Sequence, residues 1–153
     1  MFQVSVDEEF AAGHALRGYR GKCENPHGHN YKVRVTLQGE SLNKIGLLYD
    51  FVDLKEAIHS SIRKLDHQYM NDVPPFDVLN PSAENLAKYF YEQISWLLAE
   101  YAARPAKNAG EDSGKQAEPA ALCQVSRVTV WETGTTTATY FADGDARESE
   151  PRA

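Results

Sequence analysis

The chain has 153 residues, which is enough for one domain with a sizeable apolar core. Its formal net charge is −6, and this balance argues against a nucleic-acid-binding protein, because phosphate contacts need a basic face. No apolar run approaches the ~20 residues of a membrane-spanning helix, and the first residues lack the basic and apolar regions of a signal peptide. We therefore expect a cytoplasmic protein in which Cys23 and Cys123 are free thiols, with a disulfide between them as the alternative.

The chain begins with two predicted strands. Polarity alternates from the second residue onward, which predicts a strand over residues 2–12. Residues 15–22 are rich in Gly, Arg and Lys and are typical of a loop. Apolar residues alternate with polar ones again from Tyr31 to Leu37, which predicts a second strand, antiparallel to the first by the simplest connection.

Two predicted helices follow. Asp53 and Glu56 have the spacing of a capping box, which would begin a helix with an apolar stripe from Leu54 to Leu65. The sequence Asn80-Pro81-Ser82 precedes a second stripe, from Leu86 to Tyr101, and so predicts the start of a second helix.

The last part of the chain predicts a loop, two strands and a tail. Residues 103–120 have no periodicity and are expected to form a flexible inserted loop. Strands are predicted over 125–130 and 135–141, and a disordered tail over 143–153. The order ββααββ predicts an α+β fold, a four-stranded antiparallel sheet with two helices on one face, in a single domain of residues 1–142. Its open sheet edges favour a homo-oligomer.

A cluster of histidines is the strongest functional pattern. His14, His27 and His29 lie within sixteen residues, together with Cys23. Residues two apart in a strand point to the same side, so His27 and His29 are expected to face one point, with His14 reaching it from the neighbouring strand. Three imidazoles with an open fourth position are typical of catalytic zinc. Two alternatives stay open: a structural site with Cys23 as fourth ligand, and histidines that bind no metal.

Two further patterns carry chemistry only in combination with that cluster. Asp66 and His67 follow the first predicted helix and can form a proton relay, in which the carboxylate fixes the tautomer of the imidazole. Glu132 ends the third predicted strand, where a carboxylate can accept two N–H groups from a heterocycle. Taken alone, each pattern is better explained without chemistry, with Asp66 as a loop cap, His67 as a solvated residue and Glu132 as a surface residue at the end of a strand.

Together the patterns resemble the family of 6-pyruvoyltetrahydropterin and 6-carboxytetrahydropterin synthases, which have the tunnelling fold (T-fold). The resemblance extends from residue 2 to about residue 141 in the order of the family's motifs. The matching stretches are Phe10-Ala11-Ala12-Gly13-His14, Cys23-Glu24-Asn25-Pro26-His27-Gly28-His29-Asn30-Tyr31, Asp50-Phe51, Leu65-Asp66-His67, Asn71, Asn80-Pro81-Ser82-Ala83-Glu84-Asn85-Leu86-Ala87 and Glu132-Thr133. The gap of three residues between Cys23 and His27 resembles the bacterial 6-carboxytetrahydropterin type.

The resemblance implies a role for each residue of these motifs. The zinc ligands would be His14, His27 and His29. Cys23 would be the catalytic thiolate, and Asp66 and His67 would form a proton relay that reaches an adjacent subunit. Glu132 would hold the pterin ring, assisted by Glu84. Arg17, Arg20 and Lys22 are candidates for binding a triphosphate, or are solvated loop charges.

The resemblance also implies a reaction. The protein would be a zinc-dependent carbon–carbon lyase that converts 7,8-dihydroneopterin triphosphate to 6-carboxy-5,6,7,8-tetrahydropterin, acetaldehyde and triphosphate, on the path to queuosine. The family implies a hexamer built from two trimers. The alternatives are a 6-pyruvoyltetrahydropterin synthase, which eliminates triphosphate without carbon–carbon cleavage, and a non-catalytic oligomer that binds zinc or a pterin.

Overall fold

Four strands and two long helices form the structure, a computed structural model that describes residues 1–103 and 122–142. The elements are β1 (Phe2–His14), β2 (His27–Gly39), α1 (Phe51–Ile62), α2 (Ala83–Ala103), β3 (Gln124–Trp131) and β4 (Thr137–Phe141). This order confirms the predicted ββααββ arrangement. The predicted loop lies outside the described residues, apart from residue 103, which ends α2, and so does the predicted tail over 143–153.

The four strands form one antiparallel sheet in the order β1-β2-β3-β4. Both β1 and β2 are longer than predicted, and they pair from Phe2 opposite Gly39 to His14 opposite His27. The end of β1 therefore lies beside the start of β2. The outer edge of β1 is partly covered, because Gly13 donates its N–H to the carbonyl of Gln68 at 2.9 Å.

The core lies between one face of the sheet and the two helices. Alternate residues of β2 from Tyr31 to Leu37 are fully buried, as the period of two in a strand predicts. They pack in one cluster with residues of both helices, among them Leu54, Ile58 and Phe90. Each such apolar side chain stabilises the fold by about 1.5–3 kcal/mol through its burial. The prediction of two helices on one face is confirmed.

The start of α1 differs from the sequence-based prediction. The side chain of Asp50 accepts a hydrogen bond from the N–H of Val52 at 2.8 Å and caps the helix. The predicted capping box of Asp53 and Glu56 is therefore wrong, because the helix begins one turn earlier. A carboxylate oxygen of Glu56 instead lies 3.0 Å from the guanidinium group of Arg63. Within the described residues, no helix is long and apolar enough to cross a bilayer.

Candidate metal centre

Three histidines meet on the inner face of the sheet. The register places His14 opposite His27 and Ala12 opposite His29, and alternate residues of a strand share a face. The candidate ligand atoms of the three side chains lie within 4.8 Å of one another. Long-range strand pairing thus brings together residues that are up to fifteen positions apart in the sequence.

Backbone carbonyls fix the orientation of two of these rings. Nδ1 of His14 lies 2.8 Å from the carbonyl oxygen of Pro81, and Nδ1 of His27 lies 2.7 Å from that of Asn25. A carbonyl only accepts hydrogen bonds, so each Nδ1 carries the proton and each Nε2 has a free lone pair. The two Nε2 atoms are 3.0 Å apart. Two facing lone pairs at this distance repel each other unless a shared proton or a metal ion lies between them, and a divalent metal ion meets that need.

The third imidazole supplies an independent test of metal binding. Nε2 of His29 is buried and has no hydrogen-bond partner among the described residues. An oxygen of Glu132 lies 3.4 Å away, but their geometry does not make a hydrogen bond. A buried polar atom without a partner is costly, and a metal ion would satisfy it. The three nitrogens therefore fit a metal ion.

Burial favours the neutral form of His14 and His29, the form that binds metals. Burial lowers the pKa of His14, and the backbone carbonyl of Pro81 and the charge of Glu132 act in the opposite direction. Burial also lowers the pKa of His29, and Glu132 again opposes it. Desolvation is the larger effect in both cases, so less proton competition is expected at neutral pH than for an exposed imidazole.

Glu132 and Tyr31 border the three histidines. Glu132 follows β3 directly, and its N–H donates to the carbonyl of Thr136 at 3.2 Å across the turn. Tyr31 is fully buried, and its ring centroid lies 5.5 Å from that of His29. Its hydroxyl has no hydrogen-bond partner within residues 1–103 and 122–142. Burial, and then the charge of Glu132, raise the pKa of Tyr31. Sequence reasoning did not single out Tyr31, although it lies two residues beyond His29 on the same strand face.

Cys23 lies in the loop between β1 and β2, within a short 3₁₀ turn, Lys22–Glu24. The N–H of Leu16 donates to its carbonyl at 2.8 Å, which fixes this part of the loop two residues after His14. Its side chain is half-buried, and both Cys23 and Cys123 are free thiols. The expectation of free thiols is confirmed, and the disulfide alternative is wrong.

Asp66 and His67 lie along the outer edge of β1. The Oδ1 atom of Asp66 accepts a hydrogen bond from the N–H of Ala11 at 3.0 Å, and it lies 3.0 Å from Nδ1 of His67. The bond from Ala11, and then His67, lower the pKa of Asp66. The two residues therefore form the pair that the sequence predicts.

The imidazole of His67 is not one of the three rings that converge. Its side chain is 80% exposed. His67 lines an open depression together with Ala11, Gly13, Gly28 and His29. Among the described residues, the group of candidate ligand atoms within 4.8 Å of one another contains the three histidines and not His67.

Glu84, the remaining predicted residue, lies in the first turn of α2 and is exposed. The turn before it contains Pro81, whose carbonyl oxygen orients His14. Glu84 is thus close in sequence to a residue that contacts the candidate metal centre.

Comparisons with known proteins agree with this geometry. The family model described as 6-pyruvoyl tetrahydropterin synthase matches residues 3–143. The chain is 30% identical to the 6-carboxy-5,6,7,8-tetrahydropterin synthase of Aquifex aeolicus in an alignment of 173 positions, gaps included, that covers 91% of this chain and 97% of the relative. It is 40% identical to the human 6-pyruvoyl tetrahydrobiopterin synthase in an alignment of 110 positions, gaps included, that covers 63% of this chain and 76% of the relative.

A solved structure also resembles the whole fold. The 6-pyruvoyl tetrahydropterin synthase of Caenorhabditis elegans superposes with a TM-score of 0.71 at 25% identity, and the match covers 92% of this chain and 94% of that one. The Plasmodium vivax protein of the same name, with a TM-score of 0.62 and 21% identity, shows the likeness of the fold alone. The predicted T-fold is confirmed.

Proposed function

The chain belongs to the 6-pyruvoyl tetrahydropterin synthase family, and from this premise we propose that it is a zinc-dependent carbon–carbon lyase. Its substrates are 7,8-dihydroneopterin triphosphate and one molecule of water, which supplies the second oxygen of the carboxylate. Its products are 6-carboxy-5,6,7,8-tetrahydropterin, acetaldehyde and triphosphate, in the biosynthesis of queuosine. The observation that carries the proposal is the convergence of three imidazoles on one point, with ligand atoms within 4.8 Å of one another.

In the proposed enzyme, Nε2 atoms of His14, His27 and His29 hold the metal ion. Both defined tautomers leave Nε2 free, and Nε2 of His29 has no other partner. Bound Zn²⁺ would supply Lewis acidity and lower the pKa of the substrate hydroxyls. Neutral nitrogen donors also suit other divalent ions, so the choice of zinc is part of the proposal.

Cys23 is the proposed proton-transfer group on the metal side of the substrate. Its carbonyl is tied to Leu16, two residues from His14, so the thiol belongs to a loop that is anchored beside a metal ligand. A nearby cation favours the thiolate over the thiol. This role differs from that of a fourth ligand, and substitution of Cys23 separates the two.

Asp66 and His67 form the proposed second proton-transfer group. The ionised carboxylate of Asp66 accepts a hydrogen bond from Nδ1–H of His67. Nε2 of His67 is then free to take up or release a proton. Since the side chain of His67 is 80% exposed, it is proposed to serve the centre of an adjacent subunit. The proposal therefore includes a homo-oligomer, expected to be a hexamer of two trimers.

Glu132 is the proposed anchor of the pterin ring. Its carboxylate lies 3.4 Å from Nε2 of His29 and its side chain is 24% exposed, so it borders the centre and is open to a ligand. A carboxylate can accept two parallel N–H groups from the edge of a pterin. Glu84 is proposed to assist from the first turn of α2.

The 6-carboxy reaction is preferred over the 6-pyruvoyl reaction because of the loop that carries Cys23. Three residues separate Cys23 from His27, as in the bacterial 6-carboxy type that the sequence resembles. Relatives with both names match the chain, so their names do not decide between the reactions. We further propose that residues 1–142 form a single domain and that the protein acts in the cytoplasm.

Product analysis tests this proposal directly. The protein loaded with Zn²⁺ is incubated with 7,8-dihydroneopterin triphosphate, and acetaldehyde, triphosphate and the pterin product are measured together. We expect acetaldehyde and 6-carboxytetrahydropterin in equal amounts. Triphosphate release without acetaldehyde would assign the 6-pyruvoyl reaction instead, and bound zinc without turnover would favour the non-catalytic alternative.

A further inference from the structure

Arg17 is close to the candidate metal centre, but its guanidinium group is bound to the protein backbone. It donates hydrogen bonds to the carbonyl oxygens of Asn71 at 3.2 Å, Phe76 at 2.8 Å and Leu79 at 3.2 Å. All three acceptors lie in the segment that connects α1 to α2. A guanidinium group has five N–H donors in a fixed fork. Three hydrogen bonds to backbone carbonyls occupy three of these donors, so fewer are left to bind an anion.

Two asparagines join the same pair of segments. The side chain of Asn71 accepts from the N–H of Ala15 at 2.9 Å and donates to the carbonyl of Ala15 at 2.8 Å. The side chain of Asn80 makes the same two bonds with Arg17, at 2.8 Å and 2.9 Å. Each amide thus satisfies both backbone groups of one loop residue, as a neighbouring strand would. We call Arg17, Asn71 and Asn80 the Arg17 clamp.

The clamp connects the two segments that determine the orientation of His14. One contains His14 itself, directly before the clamped residue Ala15. The other contains Pro81, directly after Asn80, whose carbonyl oxygen lies 2.8 Å from Nδ1 of His14. The partner of a ligand's second nitrogen fixes its tautomer and ring orientation, and its loss typically lowers metal affinity 10- to 100-fold.

The clamp also fixes the loop that carries Cys23. Leu16 lies between the clamped residues Ala15 and Arg17, and its N–H donates to the carbonyl of Cys23. The backbone on both sides of this bond is held by the asparagine side chains. Movement of the clamp would therefore displace a metal ligand and the proposed thiolate at the same time.

We propose that Arg17 is a positioning residue of the metal centre, acting with Asn71 and Asn80 through Pro81 on His14, and that it does not bind the triphosphate. The inference rests on the proposed function in one respect, that His14 binds the metal. In this proposal, the guanidinium group of Arg17 holds the segments around the centre in position. Any loop cation that contacts phosphate is then Arg20 or Lys22. All three side chains are exposed, and Arg17 differs in the hydrogen bonds that bind it to backbone carbonyls.

Cobalt binding to the full chain tests the proposal without relying on turnover. The unmodified protein, Arg17→Met and the matched loop variant Arg20→Met are stripped of metal and titrated with Co²⁺, whose visible absorption reports ligand geometry. We expect Arg17→Met to bind Co²⁺ about 10- to 100-fold more weakly, with an altered spectrum. Arg20→Met should match the unmodified protein in both respects.

Two further variants keep the test decisive where Arg17→Met does not fold. Arg17→Lys retains the charge but not the fork that spans three carbonyl groups, and Asn80→Ala breaks the clamp without altering any charge. Both should weaken Co²⁺ binding, and both should lower kcat more than they raise the KM for the triphosphate substrate. A phosphate ligand at position 17 would instead show a raised KM with unchanged Co²⁺ affinity, and this outcome would overturn the proposal.

Co²⁺ binding and acetaldehyde release together separate an error about the clamp from an error about the reaction. If the unmodified chain binds Co²⁺ but produces no acetaldehyde, the reaction is wrong and the clamp is still tested by affinity. If Arg17→Met, Arg17→Lys and Asn80→Ala all bind Co²⁺ like the unmodified protein, the clamp has no positioning role. If the unmodified chain binds no Co²⁺, both the metal centre and the inference are wrong.

Discussion

The side chains at the candidate centre are arranged for a cation that the protein atoms do not supply. Two imidazoles, of His14 and His27, turn unprotonated nitrogens toward each other because backbone carbonyls hold their other nitrogens. A third nitrogen, of His29, is buried without a hydrogen bond. A stable fold rarely leaves such groups without a partner, and this is the physical basis of the predictions at the scale of single residues.

The role of Cys23 is tested by separating metal binding from turnover. Cys23→Ala should retain zinc at the level of the unmodified protein and lose activity by at least about 100-fold, because general acid–base groups typically contribute 10²- to 10⁴-fold. His27→Ala should lose zinc. Metal content by atomic emission and acetaldehyde release measure the two effects. Equal loss of zinc in both variants would show that Cys23 is a ligand instead.

Tyr31→Phe should stabilise the metal-free protein. The hydroxyl of Tyr31 is buried without a partner, and an unsatisfied buried polar group costs about 1–3 kcal/mol, so its removal should raise the free energy of unfolding. The matched control is Tyr91→Phe, which removes a hydrogen bond of 3.3 Å to the carbonyl of Val125 and should destabilise by about 0.5–1.5 kcal/mol. Urea unfolding measures both. A loss of stability in Tyr31→Phe would show that its hydroxyl has a partner.

The metal-free protein should become less stable as the pH falls through the usual range of histidine. Burial lowers the pKa of His14 and His29 in the folded protein, so below about pH 6.5 the unfolded chain binds more protons than the folded one. Stability continues to fall until the pH reaches the lowered pKa values of these histidines in the folded protein. Above the pKa of histidine in the unfolded chain, this loss of stability is absent. Thermal unfolding between pH 5 and 8 measures it.

A control variant identifies the histidines responsible for this pH dependence. His14→Gln and His29→Gln should each flatten the profile. His59→Gln is the matched control, because it removes an exposed histidine of α1 and leaves the rings of His14 and His29 in place. A profile that His14→Gln and His29→Gln leave unaltered would assign the pH dependence to other groups.

At the scale of secondary-structure elements, the start of α1 shows how close alternatives in the sequence are decided. Asp50 and Asp53 are both typical N-cap residues, and Glu56 completes a capping box only for Asp53. The structure uses Asp50, whose side chain bonds to the N–H of Val52. The helix therefore begins at Phe51. The local sequence pattern has two valid starting points and did not decide between them.

Asp50→Ala should accordingly destabilise the protein by about 1 kcal/mol, the usual cost of losing an N-cap side chain. Glu56→Gln should have no measurable effect, because its pairing with Arg63 is fully exposed to solvent. Chemical unfolding of the two variants measures the difference. If Glu56→Gln were the more destabilising change, the capping-box interpretation would be restored.

At the scale of the whole molecule, the two proposed proton-transfer groups lie in different segments. Cys23 belongs to the loop between β1 and β2, and His67 lies at the outer edge of β1. The side chain of His67 is 80% exposed, so it is open to a neighbouring chain. An oligomer in which neighbouring chains exchange these groups would give each centre both.

Mixing two inactive variants tests this exchange. Cys23→Ala and His67→Ala should each be inactive alone, and oligomers formed from equal amounts of both should recover activity. If the two variants assemble at random, half of the sites have an intact Cys23, and half of these also have an intact His67 from the neighbouring chain. About a quarter of the sites would therefore be complete. Acetaldehyde release from co-expressed variants measures the recovery. Mixed oligomers without recovered activity would place both groups in one chain.

The sequence alone determined the elements, their order and the identity of the clustered histidines. Alternating polarity over residues 2–12 and from Tyr31 to Leu37 reports directly on burial of one sheet face, and the spacing of His27 and His29 follows from the same period of two. These features depend on local geometry, which a sequence displays without reference to distant residues.

Only the tertiary structure decided how these parts combine. The opposition of the lone pairs of His14 and His27, the missing partner of Tyr31 and the binding of Arg17 to backbone carbonyls all depend on contacts between segments far apart in the chain. A loop arginine beside a predicted triphosphate site has the same sequence pattern whether it faces solvent, phosphate or backbone. The choice among these was made by the packing of residues 71–81 against the loop, because hydrogen-bond partners are fixed by position in space.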